Sequence, residues 1–95
     1  MFCCQFCDFT TKERSLIHRH HIMPKELNGS NKPSNLVYVC ANCHGIIYVP
    51  ESTAGQHSIK KENSIQIVQW FLSTDGMVLQ YISEGEERYV VDKNS

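Results

Sequence analysis

The apolar positions of this chain fall into short runs rather than long helical stripes. Ser15-Leu16-Ile17-His18-Arg19-His20-His21-Ile22 reads as a strand ending at Met23-Pro24, because proline disfavours continued regular structure in the residue before it. Leu36-Val37-Tyr38-Val39 is a second strand able to pair with the first, and Asn28-Gly29-Ser30-Asn31-Lys32-Pro33-Ser34 between them is loop by composition. The segment 41–49 reads as a helix stopped by Pro50, although Gly45 and the β-branched residues weaken helical propensity there.

Residues 51–64 show no apolar periodicity and read as a surface connector in which function is not expected to start. Beyond them Ile65–Leu72, Met77–Ile82 and Arg88–Val91 suggest a three-stranded meander, with turns at Thr74-Asp75-Gly76 and Glu84-Gly85-Glu86. A helix over 63–72 is the alternative, since short apolar runs are ambiguous by periodicity alone. Trp70, Tyr81 and Tyr89 are expected in the core of the meander rather than on a base-stacking face. The 95 residues suit one domain, divided into a core over 1–50, the connector and the meander over 65–91. A chain of this size gains from cross-links.

Cysteines supply a candidate cross-link. No apolar run approaches membrane-spanning length, and the N-terminus lacks the basic and apolar regions of a secretory signal, so a cytoplasmic location and no membrane partner are expected. In a reducing compartment, cysteines paired at short spacing favour metal binding over disulfides. Cys4-x2-Cys7 and Cys40-x2-Cys43 each present two thiolates from a tight turn, and together they complete a four-cysteine site for one structural Zn²⁺. The ion would close the 32-residue stretch between Cys7 and Cys40 and contribute folding free energy. Cys3 remains either a substitute for Cys4 or a free thiol.

The net charge of -1 provides no global attraction to nucleic acid. Its distribution is uneven: residues 1–50 hold five basic and three acidic side chains, whereas residues 51–95 hold four basic and seven acidic. Four of the five histidines, His18, His20, His21 and His44, lie between or beside the cysteine pairs. A closed four-cysteine site has no open position for substrate, so catalysis would have to come from these imidazoles, as a second metal site.

In order and spacing, Cys4-x2-Cys7, His20-His21-Ile22-x-Pro24, Asn35-Leu36 and Cys40-x2-Cys43-His44 resemble the zinc-containing branch of the HNH endonucleases, over residues 4–49. The resemblance implies a small α+β protein, with a zinc-stapled ββα-metal core followed here by a C-terminal antiparallel β-meander. It further implies a DNA endonuclease or nickase that leaves a 5′-phosphate and a 3′-hydroxyl. His20 and His44 would hold one catalytic divalent ion (Mg²⁺, Mn²⁺, Ni²⁺ or Zn²⁺), His21 would be the general base, and Asn35 would fix the loop and orient the base. These roles suit phosphodiester hydrolysis, which needs a base titrating near neutrality and positive charge on the developing oxyanion.

Adjacent residues of a regular strand face opposite ways, so His20 and His21 meet one phosphate only by approaching it from different sides. His18 with His20 is a rival pair sharing a strand face, although His18 otherwise reads as a surface or packing residue. Many family members carry another ligand one helical turn after the His44 position, where this chain has Tyr48. His57, in the connector, is a candidate replacement but reads first as a solvated loop histidine. Arg19, Lys25 and Lys32 flank the site as candidate phosphate contacts.

The competing function is a non-catalytic zinc module that recognises DNA or a protein, which would need the cysteines but not a positioned base. A protein partner that delivers the nuclease to DNA would fit the weak overall basicity, with the acidic meander as its docking surface. A phage or mobile element is the setting that such a compact HNH-like chain suggests by association.

Overall fold

The computed structural model describes residues 1–52 and 55–94. Its centre is an antiparallel hairpin of β3 (His18–His21) and β4 (Leu36–Val39), reached after the short paired strands β1 (Phe2–Cys3) and β2 (Thr10–Thr11). In the hairpin, His18 pairs with Val39, His20 with Val37 and His21 with Leu36. Alternation along β4 turns Val37 and Val39 inward, where both are buried, and puts His20 on the same inner face. The expected strand over 15–22 is therefore shorter, because Arg14–Leu16 forms a 3-10 turn before it.

Between the two strands the loop is held against the end of β3. Gly29 donates its N–H to the Pro24 carbonyl at 2.9 Å, and a Cβ at Gly29 would lie 1.7 Å from the Met23 carbonyl oxygen. Only glycine permits so close a backbone approach.

The expected helix over 41–49 is corrected: α1 covers Ala41–His44, a single turn. Cys40 is its N-cap, with Sγ accepting from the Cys43 N–H at 3.4 Å. After His44 the chain leaves the helix because Ile46, Ile47 and Tyr48 find backbone partners elsewhere. Ile65 donates to the Ile46 carbonyl, Tyr48 donates to the Ile65 carbonyl, and Ile47 forms a parallel bridge with Ile65. Burying Ile47 to 1% exposure stabilises this extended path by about 1.5–3 kcal/mol, more than a weak helical propensity at β-branched residues can oppose.

The C-terminal sheet is a meander, as its apolar runs suggest, with β5 (Ile65–Ser73), β6 (Gly76–Ser83) and β7 (Glu86–Val91) in that order. The second hairpin turns through Glu84 at φ 55° and Gly85 at φ 78°, the paired positive φ values that match the twist of the flanking strands. A bulge between Ile67 and Gln69 moves the inward face of β5 from odd to even positions. Ile65 and Ile67 therefore point inward before the bulge and Trp70 after it, opposite Leu79, which is fully buried. Tyr81 and Val90 join the same face, whereas Tyr89 is half exposed and meets Phe71 edge-on across the other one, so the expectation of Tyr89 in the core is corrected.

This sheet is joined to the cysteine-bearing segment by polar contacts. Trp70 Nε1 donates to the Leu36 carbonyl at 2.8 Å, and Asn94 brackets Cys3 by accepting from its N–H and donating to its carbonyl. Gln5, 1% exposed, donates to the Val91 carbonyl at 2.7 Å and accepts from the Lys93 N–H at 3.2 Å. Removing that side chain leaves both partly buried backbone groups without their partner and a gap where the buried Gln5 side chain packs. Gln5→Ala is expected to lower the unfolding free energy by about 2–4 kcal/mol. Chemical denaturation at saturating zinc checks this, and a change below about 0.5 kcal/mol would place the clamp elsewhere.

Candidate metal centre

Two clusters of candidate ligands, one of cysteines and one of histidines, draw on the β3–β4 hairpin and α1. Cys4 and Cys7 sit on the turn between β1 and β2, tightened by the Cys4 N–H donating to the Phe9 carbonyl at 2.9 Å, while Cys40 and Cys43 bracket the start of α1. Their four Sγ atoms lie within 4.8 Å of one another, with Cys7 and Cys40 at 3.6 Å. Tetrahedral Zn–S bonds of about 2.3 Å place sulfurs about 3.8 Å apart, so the set is dimensioned for zinc. Cys3 lies outside the cluster, its backbone held by Asn94.

The thiols divide their protons unequally. Burial opposes the Cys4 thiolate, but hydrogen bonds from the Cys40 and Phe6 backbone and from the Cys7 and Cys43 thiols together outweigh it and bring its pKa down to about 7. Burial, with hydrogen bonds to Cys4 and Cys40, instead pushes Cys43 well up. One negative charge is easily held, and further charges need a cation among them.

The second cluster is His20, His44 and His57, whose ligand atoms also fall within 4.8 Å of one another. Strand alternation buries His20 to 4% exposure, and its Nε2 has no hydrogen-bond partner among the described residues. A buried imidazole nitrogen without a partner is costly unless it meets an ion or a ligand. His44 closes α1, with its ring 5.5 Å from that of His20 and 4.8 Å from that of His57. His18 reaches His44 as well, with the two Nδ1 atoms 2.9 Å apart, so it buttresses His44 rather than joining His20. A His44 Nδ1–H donated to His18 leaves His44 Nε2 with the lone pair that a metal requires.

His57, expected to be solvated, is instead half-buried on a 3-10 turn over Gly55–Ser58. Its carbonyl accepts from the Val49 N–H at 2.9 Å, and its Nδ1 bonds the Ile47 carbonyl at 3.1 Å. The connector thus contributes directly to the cluster. Burial, then the neighbouring imidazoles, lower His20 to about 3 and His44 to about 4, so both are neutral and able to ligate at neutral pH.

His21 is on the opposite side of the strand but lines the same cleft of about 260 Å³ with Arg19, His20, Lys25, His44 and His57. Its Nε2 lies 2.8 Å from Asn31 Oδ1. An amide oxygen only accepts, so His21 carries its proton on Nε2 and presents the Nδ1 lone pair. Asn35 does not touch His21. It accepts from the Met23 N–H at 2.7 Å and donates to the Met23 and Ser30 carbonyls at 3.1 and 2.8 Å, which holds the loop that carries Asn31. Arg19 and Lys25 border the cleft, whereas Lys32 is exposed on the loop and does not line it.

The family model described as HNH endonuclease matches residues 4–48. The four cysteines in position for a metal agree with its zinc-containing branch. No curated protein and no solved structure matches the chain. HNH proteins are in general nucleases that act on DNA with divalent metals, and the matched segment spans both cysteine pairs, His20, His21, Asn35 and His44. His57 lies beyond it.

The depressed His20 pKa has a consequence for stability. Between its ordinary 6.5 and about 3, the unfolded chain binds a proton on this imidazole that the folded chain excludes. The stability that a neutral His20 contributes is therefore fully present above pH 6.5 and is lost as the pH is lowered through that window. Without added ions for the histidine cluster, the denaturation midpoint is expected to drop more between about pH 7.5 and about 5.5 than it does in His20→Gln, the thiol contribution being common to both. Equal drops would show that His20 does not stay neutral in the fold.

Proposed function

We propose that this protein is a metal-dependent DNA endonuclease or nickase, with His21 as general base and a divalent ion held by His20 and His44. The observation that carries the reading is the buried, unpartnered His20 Nε2 converging with His44 beside a base whose free lone pair is set by Asn31. On this reading β3, β4 and α1 form a ββα-metal unit whose helix is cut to one turn, and the four-cysteine site holds a structural Zn²⁺.

The chain's own groups then divide the work. Arg19 and Lys25, on the rim of the cleft, attract the DNA backbone and place a phosphate over the histidines. Bound there, the divalent ion supplies positive charge to the phosphate as negative charge builds up on it. His21 Nδ1 accepts the proton of the attacking water as the new P–O bond forms and the bond to the 3′-oxygen breaks. Donation from its Nε2–H to Asn31 Oδ1 keeps the ring in the one tautomer able to do this and stabilises the imidazolium that results. Asn35 acts one step further out, by fixing the loop that presents Asn31.

The local basic rim compensates for a chain of net charge -1. Delivery by a protein partner would supply the rest of the DNA affinity.

Plasmid nicking with Mg²⁺, Mn²⁺, Ni²⁺ or Zn²⁺ added tests the proposal. His21→Ala is expected to lose about 10²–10⁴ in rate while keeping its structural zinc and fold, and Asn31→Ala to lose less. Absence of cutting by the folded wild-type protein with every ion would move the assignment to a zinc module that binds DNA or a protein without cleaving. Equal cutting by wild type and His21→Ala would remove His21 from the mechanism.

A further inference from the structure

We propose that His57 is the third protein ligand of the ion at His20 and His44, making a three-imidazole site that prefers transition ions such as Zn²⁺ and Ni²⁺ to Mg²⁺; this rests on the nuclease reading of that site. Three observations carry it. The ligand atoms of His20, His44 and His57 lie within 4.8 Å of one another, and the His57 ring is as near to each partner, at 5.5 and 4.8 Å, as the other rings are to theirs. His20 Nε2 is enclosed without a hydrogen-bond partner among the described residues, which leaves it available to an ion. The Ile47 carbonyl is only an acceptor, so the 3.1 Å contact fixes the proton of His57 on Nδ1 and leaves Nε2 as the ligating nitrogen.

The position of His57 follows from the path of the backbone. Because α1 ends at His44, Tyr48 is not one helical turn further along a helix but on the extended segment paired with Ile65. That segment fixes the Ile47 carbonyl and the Val49 N–H, and both bond His57, one through its ring and the other through its carbonyl. The same pairing that shortens the helix thus presents a replacement ligand. Three neutral imidazoles favour Zn²⁺ or Ni²⁺, whereas Mg²⁺ prefers oxygen ligands and keeps its waters.

The test uses the full chain with its cysteine site already filled with zinc. Further Zn²⁺ is titrated while the ring ¹⁵N signals of the histidines are followed by NMR, and affinity is measured by calorimetry for wild type, His57→Gln and His44→Ala. Nε2 of His20, His44 and His57 is expected to shift together at one added equivalent. His57→Gln is expected to lose at least the roughly 10–100-fold in affinity that removing even a second-shell partner costs. Mg²⁺ should produce no such shift at equal concentration. Shifts confined to His20 and His44, with His57→Gln binding like wild type, would overturn the His57 assignment and leave the nuclease reading standing. If no imidazole responds to Zn²⁺ or Mg²⁺ under conditions where the protein cuts DNA, the histidine site itself is refuted, and His57 with it.

Discussion

The distance between two cysteine pairs is the constraint on which this fold turns. Cys4 and Cys7 lie at one end of a long excursion and Cys40 and Cys43 at the other, and the sulfurs meet within 4.8 Å. Closing such a loop costs entropy that the modest hydrophobic core of a short chain recovers poorly, and a tetrahedral ion on the four cysteines would return it. The excursion between the pairs contains β3, its loop and β4, so the clamp sets the ends of the hairpin. It also fixes α1, because Cys40 is at once a member of the four-cysteine cluster and the N-cap. His44 is placed by that single helical turn and His20 by the hairpin, and their convergence is a consequence of the clamp.

The C-terminal sheet contributes the opposite wall. Leu79, Ile65 and Ile67 pack with Val37, Val39 and Ile47 in one core, and Gln5 and Trp70 tie the two parts through buried amide and indole donors. Such satisfied polar contacts add direction to an otherwise non-directional apolar interface. Acidic side chains concentrate at the far turn, where Glu84 and Glu86 lie within 4 Å of Arg88, while Arg19 and Lys25 are at the histidine cleft. A low net charge is therefore compatible with a locally basic cleft, since screening confines each patch to about 10 Å.

Features determined within a few residues were legible from the sequence. Two Cys-x2-Cys turns, the His20–His21 pair before Pro24 and the three apolar runs after residue 64 each carry their own spacing. What depended on distant pairing was not legible. The helix over 41–49 was expected from a local pattern, but Ile46, Ile47 and Tyr48 pair with Ile65, eighteen or so residues on, and that pairing wins. The bulge at Val68, which decides that Trp70 rather than Gln69 faces inward, is likewise a product of register with β6. His57 was read as a solvated histidine because nothing adjacent to it signals a ligand; its partner is the Ile47 carbonyl, itself positioned by the strand bridge. Asn31 was hidden among ordinary loop residues, and only the tertiary position of His21 distinguishes it from Asn28.

On the proposed reading, the His20–His21 pair lets one strand serve two chemically opposed demands. A metal ligand should be dry and rigid, with its lone pair unable to find water, whereas a general base needs access to water and a proton acceptor of ordinary basicity. Alternation along β3 separates the two environments with a single peptide bond: His20 turns into the core, where burial keeps it neutral, and His21 turns toward the loop, where Asn31 takes its Nε2–H. The apparent conflict of neighbouring histidines on opposite faces is thus the means by which one can be desolvated and the other left wet. Convergence on one cleft comes from Pro24, which ends the strand immediately afterwards and lets the chain curl round, with Pro24 and Lys25 lining the cleft beside both rings. A longer regular strand would carry the loop, and with it Asn31, away from His21.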